Sequence, residues 1–458
     1  MTRYPHDLLA TLRRASGIVL FVVYLVGVAA SLYFVGSRRL AADGVEGVQL
    51  IPQGGLEIKT RPAGAVVRLN EASLGVTPVA NPELKPGRSS ITIGLDGYLP
   101  WRGTIDVPSR QFVETGTIPL VPRLPRRQET SITAGTSYPI PGDRPIVAHV
   151  TGSSGELVIL DSHGWMQDVP GLRVDSVGAH TASESVVVFG ERDSRRVVVV
   201  IEQRLGGIRV REFAIGMEVP PTSGIVPVRS SAANDALLAF TPEYGVSIDE
   251  AGIELHELWS GALVAWGAPE GVWSALTEDG DLLRYTLGVV HRTGNLGPVP
   301  VNLKESTIIG VSDTTALLRT RSGAVILLKR DEVLSLVDDG VLDSARAGED
   351  TLLASDDSIA VMEDDGTIRA RLPIPGAGVE SLVGVSSTGL VVFETAVDIK
   401  AVPLAAVRHA ELTLAPVSVA RLEADEHPLS LFGETLVYGS DRRIIWQSLE
   451  APEDAPSR

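Results

Sequence analysis

Few residues in this 458-residue chain are of types that do chemistry, and they are scattered. Histidine stands at His6, His149, His163, His180, His256, His291, His409 and His427, and no two are four residues apart, the spacing that sets a zinc-binding pair on one face of a helix. Cysteine is absent, which excludes thiolate metal sites and disulfides. The chain has no Gly-x-Ser-x-Gly nucleophile turn, phosphate-binding loop or dinucleotide fingerprint. Gly152-Ser153-Ser154-Gly155 places serine between glycines at the wrong spacing and reads as a hairpin turn.

Two clusters remain. Carboxylates crowd the stretch Asp338, Asp339, Asp343, Glu349, Asp350, Asp356, Asp357, Glu363, Asp364 and Asp365. A calcium loop needs staggered oxygen ligands and a glycine at its bend, and the run ending in Asp365-Gly366 lacks the Asp-x-Asp-x-Asp-Gly order, so these side chains are expected at solvated turn tips. Trp259, Trp266 and Trp273 recur every seven residues, with Trp165 and Trp446 elsewhere. In strands that spacing has no special meaning, so they are expected as core, the other reading being a glycan-stacking cluster. No metal and no cofactor is expected. The remaining route to catalysis is a carboxylate pair of the kind that cleaves glycosidic bonds.

The elements that would position such groups are strands. Beyond residue 130 the chain shows almost no helical periodicity and many short apolar runs broken by turn signals. Candidate hairpin turns fall at Ser154-Gly155, Asp193-Ser194, Thr241-Pro242, Asp279-Gly280, Ser322-Gly323, Asp365-Gly366, near Ala396, and at Ser440-Asp441. Their mean interval is about 41 residues, within the roughly 40 to 45 of a four-stranded propeller blade. Val186-Val187-Val188-Phe189 and Val197-Val198-Val199-Val200-Ile201 are continuously apolar, as strands covered on both faces require. A seven- or eight-bladed β-propeller over residues 131–450 is expected, with packed β-sandwiches as the competing architecture.

Residues 54–122 are organised differently. Leu56, Ile58 and Thr60 alternate with Glu57 and Lys59, and Ile91, Ile93 and Leu95 alternate with Thr92 and Gly94, the period of half-buried strands. Between them stand Pro62-Ala63-Gly64-Ala65, Leu74-Gly75-Val76-Thr77-Pro78, Leu84-Lys85-Pro86-Gly87, Leu95-Asp96-Gly97-Tyr98 and Pro100-Trp101. In order and spacing this block resembles a PEGA domain, with Ala63 at a turn position where the family name has Glu. The resemblance implies a small β-sandwich module of prokaryotic envelope proteins, outside the membrane. It gives Pro62, Ala63, Gly64, Ala65, Gly75, Thr77, Pro78, Gly87, Gly97, Tyr98 and Trp101 a structural role. Tyr98 and Trp101 suit either the core of so small a domain or a sugar-stacking platform.

No charge occurs from Ala15 to Ser37, a stretch long enough to span hydrocarbon, which takes about 20 residues. A cleaved signal peptide is the other reading, but cutting after Ala30 would leave apolar Ser31-Leu32-Tyr33-Phe34-Val35 at the new terminus. The expected fold class is therefore all-β behind an N-terminal transmembrane helix. The expected organisation is a cytoplasmic tail over 1–14, the helix over 15–37, a connection over 38–53, the PEGA-like domain over 54–122, a Pro/Arg linker over 123–130, the propeller over 131–450 and a disordered tail over 451–458. The net charge of −17 repels nucleic acid. The expected partners are the membrane, through that one helix, and an envelope protein or glycan. Binding by the extracytoplasmic β-domains is the leading function, and a membrane-anchored glycan hydrolase or lyase with carboxylates on the propeller face is the alternative.

Overall fold

The computed structural model describes residues 24–26, 28, 38–42 and 48–450, the last with short interruptions of which the longest are 180–184, 215–223 and 229–235. The chain divides into two compact units, one of Met1–Ile93 with Arg102–Thr117, the other of Gly94–Trp101 with Ile118–Arg458.

The first unit is a two-sheet sandwich. One sheet orders its strands Val79–Leu84, Gly54–Arg61, Phe112–Pro119, and the other Trp101–Val107, Gly87–Gly94, Val66–Leu69, Ala72–Val76. The period-2 pattern sorts the faces: Leu56, Ile58, Val67, Ile91, Ile93, Ile105 and Val107 are buried, while Lys59, Arg68 and Asp106 point outward. Arg38–Ala42 and Val48–Pro52 pair as an antiparallel ribbon ahead of the sandwich.

The second unit is built from antiparallel four-stranded sheets in sequence order. Six of them stand alone, and an eight-stranded sheet is two more, joined where Ala265 and Trp266 run parallel to Ser306 and Thr307. The blades span 135–169, 173–214, 224–254, 263–295, 306–337, 343–373, 379–421 and 427–448, numbered 1 to 8 here. The last has only three strands of its own. Its fourth is Arg127–Ser131, from the segment that precedes blade 1, paired from Arg127↔Gln447 to Ser131↔Arg443. Closing a ring with a strand from the other end of the chain removes the free edge that a linear array of sheets would leave.

Burial between blades supplies the core. Ile146, Ala148 and Ile159 of blade 1 pack with Val186, Val188 and Val199 of blade 2. Blade 4 packs on blade 5 through Leu276, Leu282, Ala316 and Leu318, and blade 5 on blade 6 through Leu317, Leu327, Leu353 and Met362. Val147 and Leu160 of blade 1 meet Phe432, Val437, Ile444 and Trp446 of blade 8, so the closing interface is apolar as well as hydrogen-bonded. Blade 7 carries a one-and-a-half-turn insert, helix Leu404–Arg408, whose Leu404, Ala406 and Val407 are buried.

One hydroxyl recurs where the second strand of a blade turns into the third. Thr151, Thr277, Thr320 and Thr395 each accept a backbone N–H from across the turn at 3.0 to 3.1 Å, and Ser440 accepts one at 3.3 Å. In blade 6, Ser355 donates instead to the Ser358 carbonyl. Blade 2 dispenses with a hydroxyl: Asp193 and Ser194 have φ of 50° and 64°, as a two-residue hairpin of matching twist requires. Gly155, Gly280 and Gly323 sit in three of these turns at positive φ, and their carbonyls take the N–H of Val174, Leu296 and Val341, locking each turn to the chain just beyond its blade's fourth strand.

The expected N-terminal transmembrane helix is corrected. Among the described residues no helix is long and apolar enough to cross a membrane. Most of 15–37 lies outside the described residues, and the part described, at 24–26 and 28, is helical with Tyr24, Leu25, Val26 and Val28 exposed. An uncharged apolar stretch states that a span is possible, not that one forms. The turn at Thr241-Pro242, Trp165, His180 and His256 also fall outside the described residues.

Candidate functional site

The PEGA-like residues converge on one hydroxyl. Thr77 Oγ1 accepts from the Ala65 amide at 3.0 Å and donates to Thr60 Oγ1 at 2.5 Å, because Thr60 Oγ1 gives its own proton to the Pro62 carbonyl at 2.7 Å. The backbone completes the clip, with Gly64 N–H on the Thr77 carbonyl and Thr77 N–H on the Ala65 carbonyl. The Pro62-Ala63-Gly64-Ala65 turn and the Gly75-Val76-Thr77-Pro78 turn are thus one hydrogen-bonded unit, and the Arg61–Pro62 and Thr77–Pro78 peptide bonds are both cis. Pro62, Ala63 and Pro78 stand exposed on it, and Ala65 and Thr77 are buried beneath. Gly64 and Gly87 adopt φ of 98° and 116°, a region only glycine enters without strain.

Gly97, Tyr98 and Trp101 belong to the second unit with residues 118–123. Gly97, at φ 84°, accepts the Arg123 amide, and Tyr98 bridges to Pro122. Trp101 is fully buried and donates its indole N–H to the Pro119 carbonyl at 2.9 Å. A ring in that position cannot stack on a sugar. Partial burial raises the Tyr98 phenol above its ordinary pKa.

One polar cluster lies at the closure of the propeller. Arg443 Nη2 lies 2.6 Å from Glu423 and 2.7 Å from Glu426, and Nη1 lies 3.9 Å from Glu129 on the closing strand. Hydrogen bonding to Glu423, with the Glu426 and Glu129 charges behind it, pushes the guanidinium pKa further up, so the group is a permanent cation. Tyr438, its ring 5.9 Å beneath Arg127, donates to Gln447, which donates to the Val419 carbonyl. Burial raises the Tyr438 phenol, with the neighbouring charges partly cancelling. His149 is buried against the same seam, between the Ser137 hydroxyl and the Thr133 carbonyl, and desolvation lowers its pKa.

The acidic run of 338–365 is dispersed by the fold. Asp343 bonds Arg319 and the Leu382 amide, Asp350 bonds Arg408 at 2.7 Å, and Asp356 and Asp357 turn the chain between the second and third strands of blade 6. Asp365, fully exposed, accepts the Thr367 amide, which lowers its pKa. Among the described residues no three His, Asp or Glu side chains converge as a metal site. Trp259 and Trp273 stack at 5.5 Å and are buried with Tyr285 in blade 4, with the half-buried Trp266 packed against them. The turn hydroxyls and the Arg443 cluster were not singled out from sequence: Ser and Thr are common in loops, and their repeat emerges only once the strands are aligned.

Residues 53–119 match the PEGA domain family. No curated protein matches the chain. Among solved structures it is similar to virginiamycin B lyase from Staphylococcus aureus, at 12% identity over 71% of this chain and 100% of that one, with a TM-score of 0.36. It is similar also to the C-terminal WD40 domain of Sif2, at 11% identity over 71% and 99% with a TM-score of 0.46, and to apo AztD from Citrobacter koseri, at 11% over 80% and 97% with a TM-score of 0.41. These likenesses concern fold, and the chemistry of those proteins does not transfer. The chain carries a PEGA domain followed by a β-propeller-like domain.

Proposed function

We propose that this chain is an extracytoplasmic recognition protein, binding another protein or a cell-envelope glycan through its β-domains without turning it over. The PEGA match over 53–119 carries the reading, because that family is a module of envelope proteins. The state of the polar groups adds support. Asp343 and Asp350 link neighbouring blades through arginines, and Glu423 and Glu426 are held by Arg443, which favours a rigid display surface over an acid–base site. Blades packed against one another through apolar interfaces provide the stiffness that binding needs, since little ordering entropy is then lost on association.

The test is retention. The full chain, immobilised, is exposed separately to envelope polysaccharide and to envelope protein from a prokaryote. Saturable retention of one class, competed by the same material in solution, is the expected result. Passage of both classes unretained would refute the reading.

A further inference from the structure

The second sheet of the PEGA-like sandwich has an outward face unlike the rest of this acidic chain. Its buried face is set by Val67, Ile91, Ile93, Ile105 and Val107, so the alternate residues Arg68, Arg88, Ser90, Thr92, Arg102, Thr104 and Asp106 look outward. Three arginines thus face one carboxylate on a protein whose net charge is −17. The face is continuous across strands: Arg88 donates from Nε at 3.3 Å and from Nη2 at 3.1 Å to Thr104 Oγ1 on the neighbouring strand. That bond fixes Arg88 across two strands, and the residue itself is exposed. Asn70 organises the adjoining strand, accepting the Ser90 amide at 2.9 Å and donating to Ser89. Toward one end of the sheet, the directly paired Val66 and Val76 add exposed apolar surface.

We infer that this face binds an anionic polysaccharide, one bearing carboxylate or phosphate groups along a chain of hydroxylated sugars. The inference rests on the extracytoplasmic recognition reading above and deepens it by naming ligand and surface. Arginine forks match carboxylate and phosphate oxygens two at a time. The Ser, Thr and Asn groups between them supply donors and acceptors for sugar hydroxyls, and arginines spread over three neighbouring strands suit an extended chain better than a compact ligand. Charge complementarity supports that occupant: on a chain of net charge −17, a polyanion is favoured where arginine outnumbers carboxylate, as it does on this face.

The full chain is titrated with polygalacturonate, with poly(glycerol phosphate) and with uncharged dextran, at low and at physiological salt. Binding of at least one polyanion, weakened by salt, with none of dextran, is expected. The variant R68A/R88A/R102A, its fold checked by circular dichroism, should bind about tenfold more weakly, while R195A/R196A at the exposed blade 2 turn should match the parent. Should the triple variant misfold, the single outward substitution R102E is read instead, and it should weaken binding in the same direction. Preference for polygalacturonate assigns carboxylate and preference for poly(glycerol phosphate) assigns phosphate. Unchanged affinity in the arginine variants overturns this face while leaving envelope recognition to another surface. Retention of envelope material without affinity for either polyanion overturns the ligand class alone.

Discussion

His149 donates from Nε2 to the Thr133 carbonyl at 2.7 Å, and so ties blade 1 to the chain that has just left the closing strand of blade 8. Because a carbonyl only accepts, the proton sits on Nε2, and Nδ1 is left to accept from the Ser137 hydroxyl at 3.0 Å. The neutral ring satisfies both neighbours at the seam where the ring is joined.

This arrangement makes stability depend on pH. Burial lowers the His149 pKa below 6.5, so as pH falls through that value the unfolded chain takes up the proton before the folded one does. Stability therefore declines from about pH 6.5 downward and levels off below the folded-state pKa. Melting midpoints of the parent at about pH 7.5 and 5.5 should differ by more than those of H149Q, which cannot titrate there. Equal differences in the two proteins would show that the ring does not titrate between states.

The closing strand is expected to matter more than its length suggests. A chain beginning at residue 118 retains Arg127–Ser131, and one beginning at 132 exposes the Arg443–Ser448 edge and leaves Arg443 without Glu129. The shorter chain should melt earlier by more than about 5 °C and less cooperatively, and a peptide of residues 123–131 added in trans should restore part of the loss. Identical melts would deny the strand its closing role.

Thr77 is the third point of test. T77V removes the acceptor of the buried Ala65 amide and the partner of Thr60, at a cost of about 1–3 kcal/mol, whereas T77S keeps the hydroxyl and should lose less than about 1 kcal/mol. Amide exchange within residues 60–78 reads this unit separately from the propeller. Comparable exchange in both variants would mean that the hydroxyl does not hold the two turns together.

How much of this was legible in the sequence depended on how local the signal was. Ser154-Gly155, Asp193-Ser194, Asp279-Gly280, Ser322-Gly323 and Ser440-Asp441 do join second to third strands, because turn residues declare themselves to their neighbours. Asp365-Gly366 joins third to fourth instead, and the corresponding turn of blade 6 is Asp356-Asp357, a weaker signal. Turn chemistry marks that the chain reverses but not which reversal of the blade it is. Arg127–Ser131 reads Arg-Gln-Glu-Thr-Ser, with no apolar alternation, and its partner lies more than 300 residues away, so nothing nearby announces a strand. Helix Leu404–Arg408 is too short for its period to register. The arginine face of the PEGA-like sheet was hidden for a related reason: Arg68, Arg88 and Arg102 lie far apart in sequence and meet only through strand order.

Recognition without turnover is the central claim, and one measurement bears on it most directly. The full chain is incubated with an anionic envelope polysaccharide under conditions where binding saturates, and both bound fraction and polymer length are followed in the same sample over many hours. The account predicts saturable binding with no shortening of the polymer and no new chain ends. Progressive shortening, abolished by replacing a single aspartate or glutamate, would contradict it and make the propeller an enzyme.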